Sequence, residues 1–291
     1  MIYLNGIEIT NKQFPNGELN LLAIEEAILA RKGYKMNHFV FKYEDDKDLM
    51  ALYFAKKQVD LRTSDVSTLS IAYMPYSRMD RAETPQTPFM LKFVCDFINN
   101  MKFSEVYVHE AHSKVTKKLL NNVRTVLDNV SFIEHVKNKE TFLSVCDYIV
   151  FPDKGAYERY NGKISSKNML FGEKKRDFGT GLIQHLELIG NKSEVIHGES
   201  TAIIVDDLSS FGNTFIRVSE KLRELGFKRV VLLVCHAENS IFKGQLFDHI
   251  DKVYTTDSIL TEHSYWENQK YKPEKLQVFN LVEQLREGNY K

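Results

Sequence analysis

Cysteine is scarce in this chain, and its placement excludes two classes of protein. Cys95, Cys146 and Cys235 are the three present, far apart, in apolar settings and without a C-x-x-C pair, which argues against a disulfide framework or a thiolate zinc site. They read as buried core thiols in a reducing compartment. Net charge is also missing: 39 Lys and Arg residues balance 39 Asp and Glu residues. Bulk electrostatics therefore favour neither nucleic acid nor an anionic membrane, and any phosphate binding has to be local. Long hydrophobic runs are lacking too. The longest, Val230 to Cys235, is far too short to span a bilayer, and the opening MIYLNGIEIT has no basic stretch leading into an apolar one. The expectation is a soluble, cytoplasmic protein without nucleic-acid or membrane partners.

What is present is an ordinary globular composition, 43% hydrophobic and 27% charged over 291 residues, with room for two α/β cores. The organising stretch is Thr201 to Thr214, TAIIVDDLSSFGNT. Ala202 to Val205 has the β-branched composition of a buried parallel strand, and Phe215, Ile216, Val218, Leu222 and Leu225 follow at helical spacing until Gly226 stops them. The loop Ser209-Ser210-Phe211-Gly212-Asn213-Thr214 thus opens a helix, whose unpaired N–H groups and partial positive charge suit an anion. The hydroxyls of Ser209, Ser210 and Thr214 add donors. Asp206 and Asp207 end the strand as acceptors suited to a ribose diol or to Mg2+. An ordinary strand-turn-helix junction with capping aspartates has the same composition.

Before this stretch, strands are predicted at His38 to Tyr43, Thr68 to Met74, Glu105 to Val108 and Val130 to Ile133. Helices are predicted at Asp48 to Val59, Pro88 to Met101 and Lys114 to Asn122. Phe14-Pro15-Asn16-Gly17-Glu18 carries an Asn-Gly turn signal. A second unit repeats the alternation with strands at Tyr148 to Phe151, Met169 to Phe171, Ala202 to Val205 and Val230 to Val234, and a last helix at Val278 to Gly288. Strand-helix alternation of this kind implies two α/β domains, each a mainly parallel sheet flanked by helices. No glycine-rich or low-complexity linker marks the boundary, which is placed near residue 135, giving domains 1–135 and 136–291, with the last helix able to pack back on the first domain. The segment Glu173 to Asn191, a basic start followed by a glycine-punctuated apolar run, reads as a projecting hairpin or flap.

Several strand ends carry further polar groups. Arg78 and Arg81 flank Asp80 in a loop after a buried strand, where two guanidiniums can hold phosphate oxygens or form a surface ion pair. His109 and His112 follow another strand, Asp153 a third, and Lys174, Lys175 and Arg176 precede the flap. Together these segments resemble the ribose-phosphate pyrophosphokinases, the synthetases of phosphoribosyl pyrophosphate, and the type I phosphoribosyltransferase fold. Val205-Asp206-Asp207 with Ser210-Phe211-Gly212-Asn213-Thr214 is similar to that superfamily's ribose-phosphate signature, with Phe211 and Asn213 where small residues are usual. Pro75-Tyr76-Ser77-Arg78-Met79-Asp80-Arg81 resembles P-Y-A-R-Q-D-R, and Phe14 to Glu18 resembles F-x-D-G-E. Glu110-Ala111-His112-Ser113 resembles D-x-H, Phe151-Pro152-Asp153-Lys154-Gly155 resembles S-P-D-x-G, and Glu173-Lys174-Lys175-Arg176 resembles D-K-R-R.

The resemblance implies an N-terminal ATP-binding domain in which Phe14, Asn16, Glu18, Arg78, Met79, Asp80 and His112 meet the nucleotide. It implies a C-terminal domain in which Asp153, Asp206, Asp207, Ser209, Ser210, Phe211, Gly212, Asn213 and Thr214 hold a ribose phosphate. Mg2+ is implied at His112 and Asp153, and Lys174 and Arg176 carry over as the catalytic cations. His236 matches a strand-end histidine that would face the phosphate loop. Asn16 replaces an aspartate and Met79 a glutamine, and only thirteen residues precede Phe14, so a smaller first sheet is expected. The activity implied is Mg-dependent transfer of pyrophosphate from ATP to the anomeric hydroxyl of ribose 5-phosphate, with release of AMP, serving nucleotide or NAD metabolism. The altered loop leaves open a 5-substituted acceptor such as ADP-ribose. A nucleobase phosphoribosyltransferase would leave Phe14 to Glu18 and Tyr76 to Arg81 without a role, and a non-catalytic regulator would not need Lys174 and Arg176. A homodimer or higher homo-oligomer is implied by the family habit of sharing sites between subunits.

Overall fold

The computed structural model describes residues 1–31, 36–176, 183–261 and 274–288, with backbone alone at 174–176 and 183–185. The chain divides into two compact units, one of residues 1–127 with 280–291 and one of residues 128–279.

Unit 1 runs β1 (Ile2–Leu4), β2 (Ile7–Ile9), β3 (Asn11–Gln13), β4 (Leu19–Leu21), α1 (Ile24–Leu29), β5 (Met36–Phe41), α2 (Asp46–Arg62), β6 (Val66–Ile71), α3 (Met90–Asn99), β7 (Glu105–His109), α4 (Lys114–Leu119) and β8 (Val123–Val126). Its main sheet has the order β2-β1-β5-β6-β7-β8. β5 to β8 are parallel, and β1 pairs antiparallel with both β2 and β5. The 17-residue α2 is entered through a capping box: Asp45 accepts from Lys47 N at 2.8 Å, while Asp48 accepts from Glu44 N and Asp45 N. Its Leu52, Ala55 and Val59 bury at three- and four-residue steps against Phe39, Phe41 and Leu69 of the sheet. The Phe14 to Glu18 turn joins β3 to β4 in a separate two-stranded sheet.

Unit 2 runs α5 (Asp128–Lys139), β9 (Tyr148–Phe151), α6 (Lys154–Tyr160), β10 (Met169–Arg176), β11 (Ile183–Ile189), β12 (Thr201–Ser209), α7 (Asn213–Glu224), β13 (Arg229–Ala237), a 3-10 turn at Asn239–Phe242, α8 (Leu246–His249), β14 (Lys252–Thr256) and β15 (Leu276–Phe279). Its sheet has the order β11-β10-β9-β12-β13-β14-β15, parallel except for β11. From β9 the chain turns to one side to make β10, and from β12 to the other to make β13. The carboxyl ends of β9 and β12 therefore form a topological switch point, where open α/β sheets leave a crevice for ligands. Helix α9 (Leu281–Glu287) belongs to unit 1. It buries Leu281, Val282 and Leu285, and the Arg286 guanidinium lies 4.4 Å from the Tyr3 ring while donating to Gly6 O at 3.2 Å.

The structure corrects several sequence expectations. Val130 to Ile133, expected as a strand, lies inside α5, because Asn129, Ile133 and Val136 bury with helical period while Asp128 and Lys137 suit the two ends of the helix dipole. The strand beside β7 is β8 instead. The segment 276–279 is β15, so the last helix starts at Leu281 and not at Val278. The units part at Leu127 and Asp128, which places α5 in unit 2 although residues up to 135 were expected in the first domain. Glu173 to Asn191 does form a hairpin: β10 pairs with β9 only over Met169 to Phe171, and from Gly172 to Arg176 it is held by β11 alone. Residues 177–182 lie outside the described ones.

Candidate functional site

In unit 2 the polar groups gather at the switch point. Asp153 follows β9 and is the N-cap of α6, its Oδ1 accepting from Ala156 N at 3.0 Å. Asp206 and Asp207 lie in the last turnings of β12, which extends to Ser209 and so further than the expected Val205. Arg159, in the final turn of α6, sits against them with Nη1 2.7 Å from Asp207 Oδ1 and 3.6 Å from Asp206 Oδ1. The side chains of Arg159, Asp206 and Asp207 are 19%, 18% and 5% exposed. Burial, and then the adjoining Asp207 carboxylate, push Asp206 well above the usual carboxylate range. Burial would lower Arg159, but the attraction of Asp207 outweighs it and the guanidinium is held charged. Below them Asn129 Nδ2 donates to Asp206 O at 2.6 Å and to the Tyr160 hydroxyl at 2.9 Å, tying α5 and α6 to the end of β12.

The predicted anion loop follows. Gly212 is the N-cap of α7 at φ 84°, with no side-chain cap on the helix. A Cβ at this glycine would meet Leu246 Cδ1 at 2.6 Å, so both the backbone angle and the packing against α8 require glycine. Phe215 N and Ile216 N already donate to Gly212 O, so the N–H groups of Asn213 and Thr214 are the ones this helix start offers to a ligand. Of the predicted donors, Ser209 is the last residue of β12 and buried, its Oγ near Ser210 O at 3.4 Å. Ser210 Oγ shares a hydrogen bond with Ser240 Oγ at 3.0 Å, which in turn donates to Glu238. Thr214 is half-buried, Asn213 exposed, and Phe211 stands at the tip with 49% of its surface exposed. His236, expected to face this loop, is buried within β13 with Nδ1 2.8 Å from Ser258 Oγ. Residues of β13 from Val230 to Ala237 are buried without alternation, as in a strand covered on both faces.

In unit 1 the loops after β5, β6 and β7 converge at the carboxyl end of the sheet. Tyr76 opens the predicted Arg78 loop at φ 59°, a left-handed angle for a bulky residue. It is held there by its hydroxyl, which reaches both Asp46 oxygens at 2.8 and 2.9 Å, and Tyr43 donates to the same carboxylate at 2.8 Å. The hydrogen bond to Asp46 and burial raise the Tyr76 phenol above its ordinary value. Arg78 and Met79 are exposed beyond this anchor, and Asp80 is buried with Arg81 Nε at 2.9 Å. Burial acts to raise Asp80, but hydrogen bonds from Arg81 and Ser113, with the nearby His112, bring it below its usual value. Asp80 and His112 are therefore neighbours, as two of the predicted nucleotide-site residues should be. His109 is buried in β7, which leaves half-buried His112 as the accessible histidine. Phe14, Asn16 and Glu18 are exposed on the β3-β4 turn, where Asn16 Oδ1 accepts from Glu18 N at 3.2 Å.

Lys174 and Arg176 stand opposite Leu186 and Ile183 in the β10-β11 ladder, with a bulge between Lys175 and Arg176; their side chains lie outside what is described. Among the described residues, neither unit by itself gathers three metal-ligating side chains. A single carboxylate such as Asp153 fits a hard cation that keeps most of its water and phosphate oxygens, whereas His112 offers a borderline imidazole nitrogen. Also among the described residues, no helix is long and apolar enough to cross a membrane.

Sequence reasoning missed Arg159, Asn129, Asp46 and Ser240. No spacing rule links residue 159 to 206 or 46 to 76, since these pairs meet through sheet order alone.

No family model matches the chain. It is 27% identical over 269 residues to the ribose-phosphate pyrophosphokinase of Pyrococcus furiosus, covering 89% of this chain and 88% of that protein. To the ribose-phosphate pyrophosphokinase of Pyrococcus abyssi it is 25% identical over 266 residues, covering 89% and 87%. The phosphoribosylpyrophosphate synthetase of Mycobacterium smegmatis superposes with a TM-score of 0.70 at 17% identity, over 97% of this chain and 88% of that one. The chain is thus similar to enzymes of this kind along nearly its whole length, and its two α/β units have their fold.

Proposed function

We propose that this enzyme makes phosphoribosyl pyrophosphate or a 5-substituted form of it, by moving the β,γ-pyrophosphoryl group of ATP to the anomeric hydroxyl of a ribose phosphate. The observation that carries the reading is the pairing of Asp206 and Asp207 with the uncapped N-terminus of α7 at the switch point of unit 2. Carboxylates accept from a sugar diol, and bare N–H groups beside them take its phosphate. The relatives' names agree with it.

In the reaction the 1-hydroxyl oxygen attacks the β-phosphorus, and the bond from that phosphorus to the oxygen bridging the α-phosphate breaks. AMP leaves with the bridging oxygen, and the hydroxyl proton is lost to solvent. Asp206, Asp207 and the loop Ser210 to Thr214 orient the sugar. Arg78 and the Asp80-His112 neighbourhood bind the nucleotide phosphates, with Phe14 and Glu18 toward the base. Lys174 and Arg176 neutralise charge that builds on the phosphoryl and leaving oxygens. His112 in unit 1 and Asp153 in unit 2 are the residues that would hold Mg2+, and the ion would supply further charge neutralisation.

The acceptor is ribose 5-phosphate or a ribose whose 5-phosphate is itself substituted, such as ADP-ribose. The second reading is favoured by the exposed Phe211 ring at the loop tip, which offers a stacking face beside the phosphate loop. MgATP offered with each sugar in parallel, with AMP as the readout, tests both: AMP from neither sugar overturns the proposal. Lys174→Ala is expected to lower kcat roughly a hundredfold or more with smaller changes in KM. Turnover at the wild-type rate would remove Lys174 from the catalytic group.

A further inference from the structure

Two adjacent carboxylates buried at one strand end repel each other, and they need either a proton or a cation to stay there. Here the cation is part of the chain. Arg159 reaches both Asp206 and Asp207 from the last turn of α6, and its guanidinium lies 5.9 Å from the centre of the fully buried Tyr160 ring. The Tyr160 hydroxyl is bonded by Asn129, which also holds Asp206 O. Tyr160 thus lies against the arginine, and Asn129, bonded to the Tyr160 hydroxyl, holds the backbone of Asp206. Helix α6 also begins at Asp153, so one seven-residue helix sets two elements of the same site.

We propose that Arg159 is the positioning residue for the sugar. It supplies the counter-charge that a divalent cation would otherwise have to provide and holds the Asp206 and Asp207 side chains in place for the ribose hydroxyls. Resting on the reading of unit 2 as the sugar-phosphate site, this assigns to a residue outside the acidic motif the task of making that motif a diol receptor instead of a metal site. A guanidinium is suited to it because it keeps its charge on burial, and its planar, rigid head sets Nη1 toward both carboxylates. An ammonium on a flexible stem keeps the charge and loses the rigid head.

Steady-state kinetics on the full-length enzyme test this, with each substrate varied at saturating levels of the other, alongside calorimetric titration of ribose 5-phosphate and of ADP-ribose without nucleotide. Arg159→Met is expected to raise KM for the sugar about tenfold or more, with KM for ATP nearly unchanged, since one or two charge-assisted contacts are misplaced. Arg159→Lys is expected to recover part of that loss. A sugar KM unchanged in both variants, or equal rises for sugar and ATP, overturns the proposal. If Arg159→Met does not fold, Arg159→Lys decides: a selective rise in sugar KM supports the assignment and none refutes it. The two failures are separable. Wild-type protein that binds sugar phosphate without making AMP refutes the proposed reaction and leaves the arginine testable by affinity, whereas wild-type turnover with indifferent variants refutes only the arginine.

Discussion

Asp206 shows how a buried acid is kept at a cost to the fold. Its carboxyl holds a proton to higher pH than it would in the unfolded chain, owing to burial and to Asp207. The folded state thus binds more protons over that interval, and stability falls as pH rises through the folded value. Asp206→Asn, which cannot ionise, is expected to melt above the wild type at neutral pH, with the gap closing on acidification toward the ordinary carboxylate range. Melting curves across that range check the sign, and the same variant should lose affinity for the sugar phosphate. Asp206 and Asp207 were legible in the sequence because an apolar β-branched run ending in two acids is a local pattern. Arg159 was not, because its pairing with them depends on β9 and β12 being sheet neighbours although some fifty residues of chain, including a hairpin, intervene.

At the scale of elements, two turns carry testable strain. Gly212→Ala forces a side chain onto a φ of 84° and against Leu246. A loss of roughly 1–3 kcal/mol in denaturant unfolding is expected, with weaker phosphate binding as the start of α7 shifts. Tyr76→Phe removes the hydroxyl that reaches Asp46 and so frees the turn bearing Arg78 and Asp80. About 1–2 kcal/mol is at stake for such a bond to a charged group, enough to raise KM for ATP on the order of tenfold while the sugar KM stays constant. Equal changes in both constants would dissociate Asp46 from the nucleotide site. The turn itself could be placed from sequence after the strand now seen as β6, and the hairpin from its basic start and glycines. The strand misplaced at 130–133 had the apolar, β-branched letters of a strand, and only the period of burial along α5 reveals the helix.

For the whole molecule, the alternation of strands and helices was sufficient to foresee two mainly parallel sheets, while the route of the chain between them was not foreseeable. Strand order is a tertiary fact, and β14 and β15, which complete the second sheet, gave little separate signal. Residues 128–279 have a core of their own, running from Tyr148 through Phe215 and Leu232 to Leu276. Expressed alone they are expected to unfold cooperatively and to bind sugar phosphate while producing no AMP, as judged by a single melting transition and by titration. A non-cooperative melt would mean that the unit depends on the rest of the chain.

Unit 1 is interrupted, not merely followed, by unit 2, since α9 returns to it after residue 279 and sets Arg286 over Tyr3. During synthesis the ribosome therefore finishes every strand of unit 2 before it supplies the segment that seals unit 1. A nascent chain stalled short of Leu281 would hold a finished unit 2 and an unsealed unit 1, so quality control acting on such products would sense the amino-terminal half, although the missing piece was encoded at the far end.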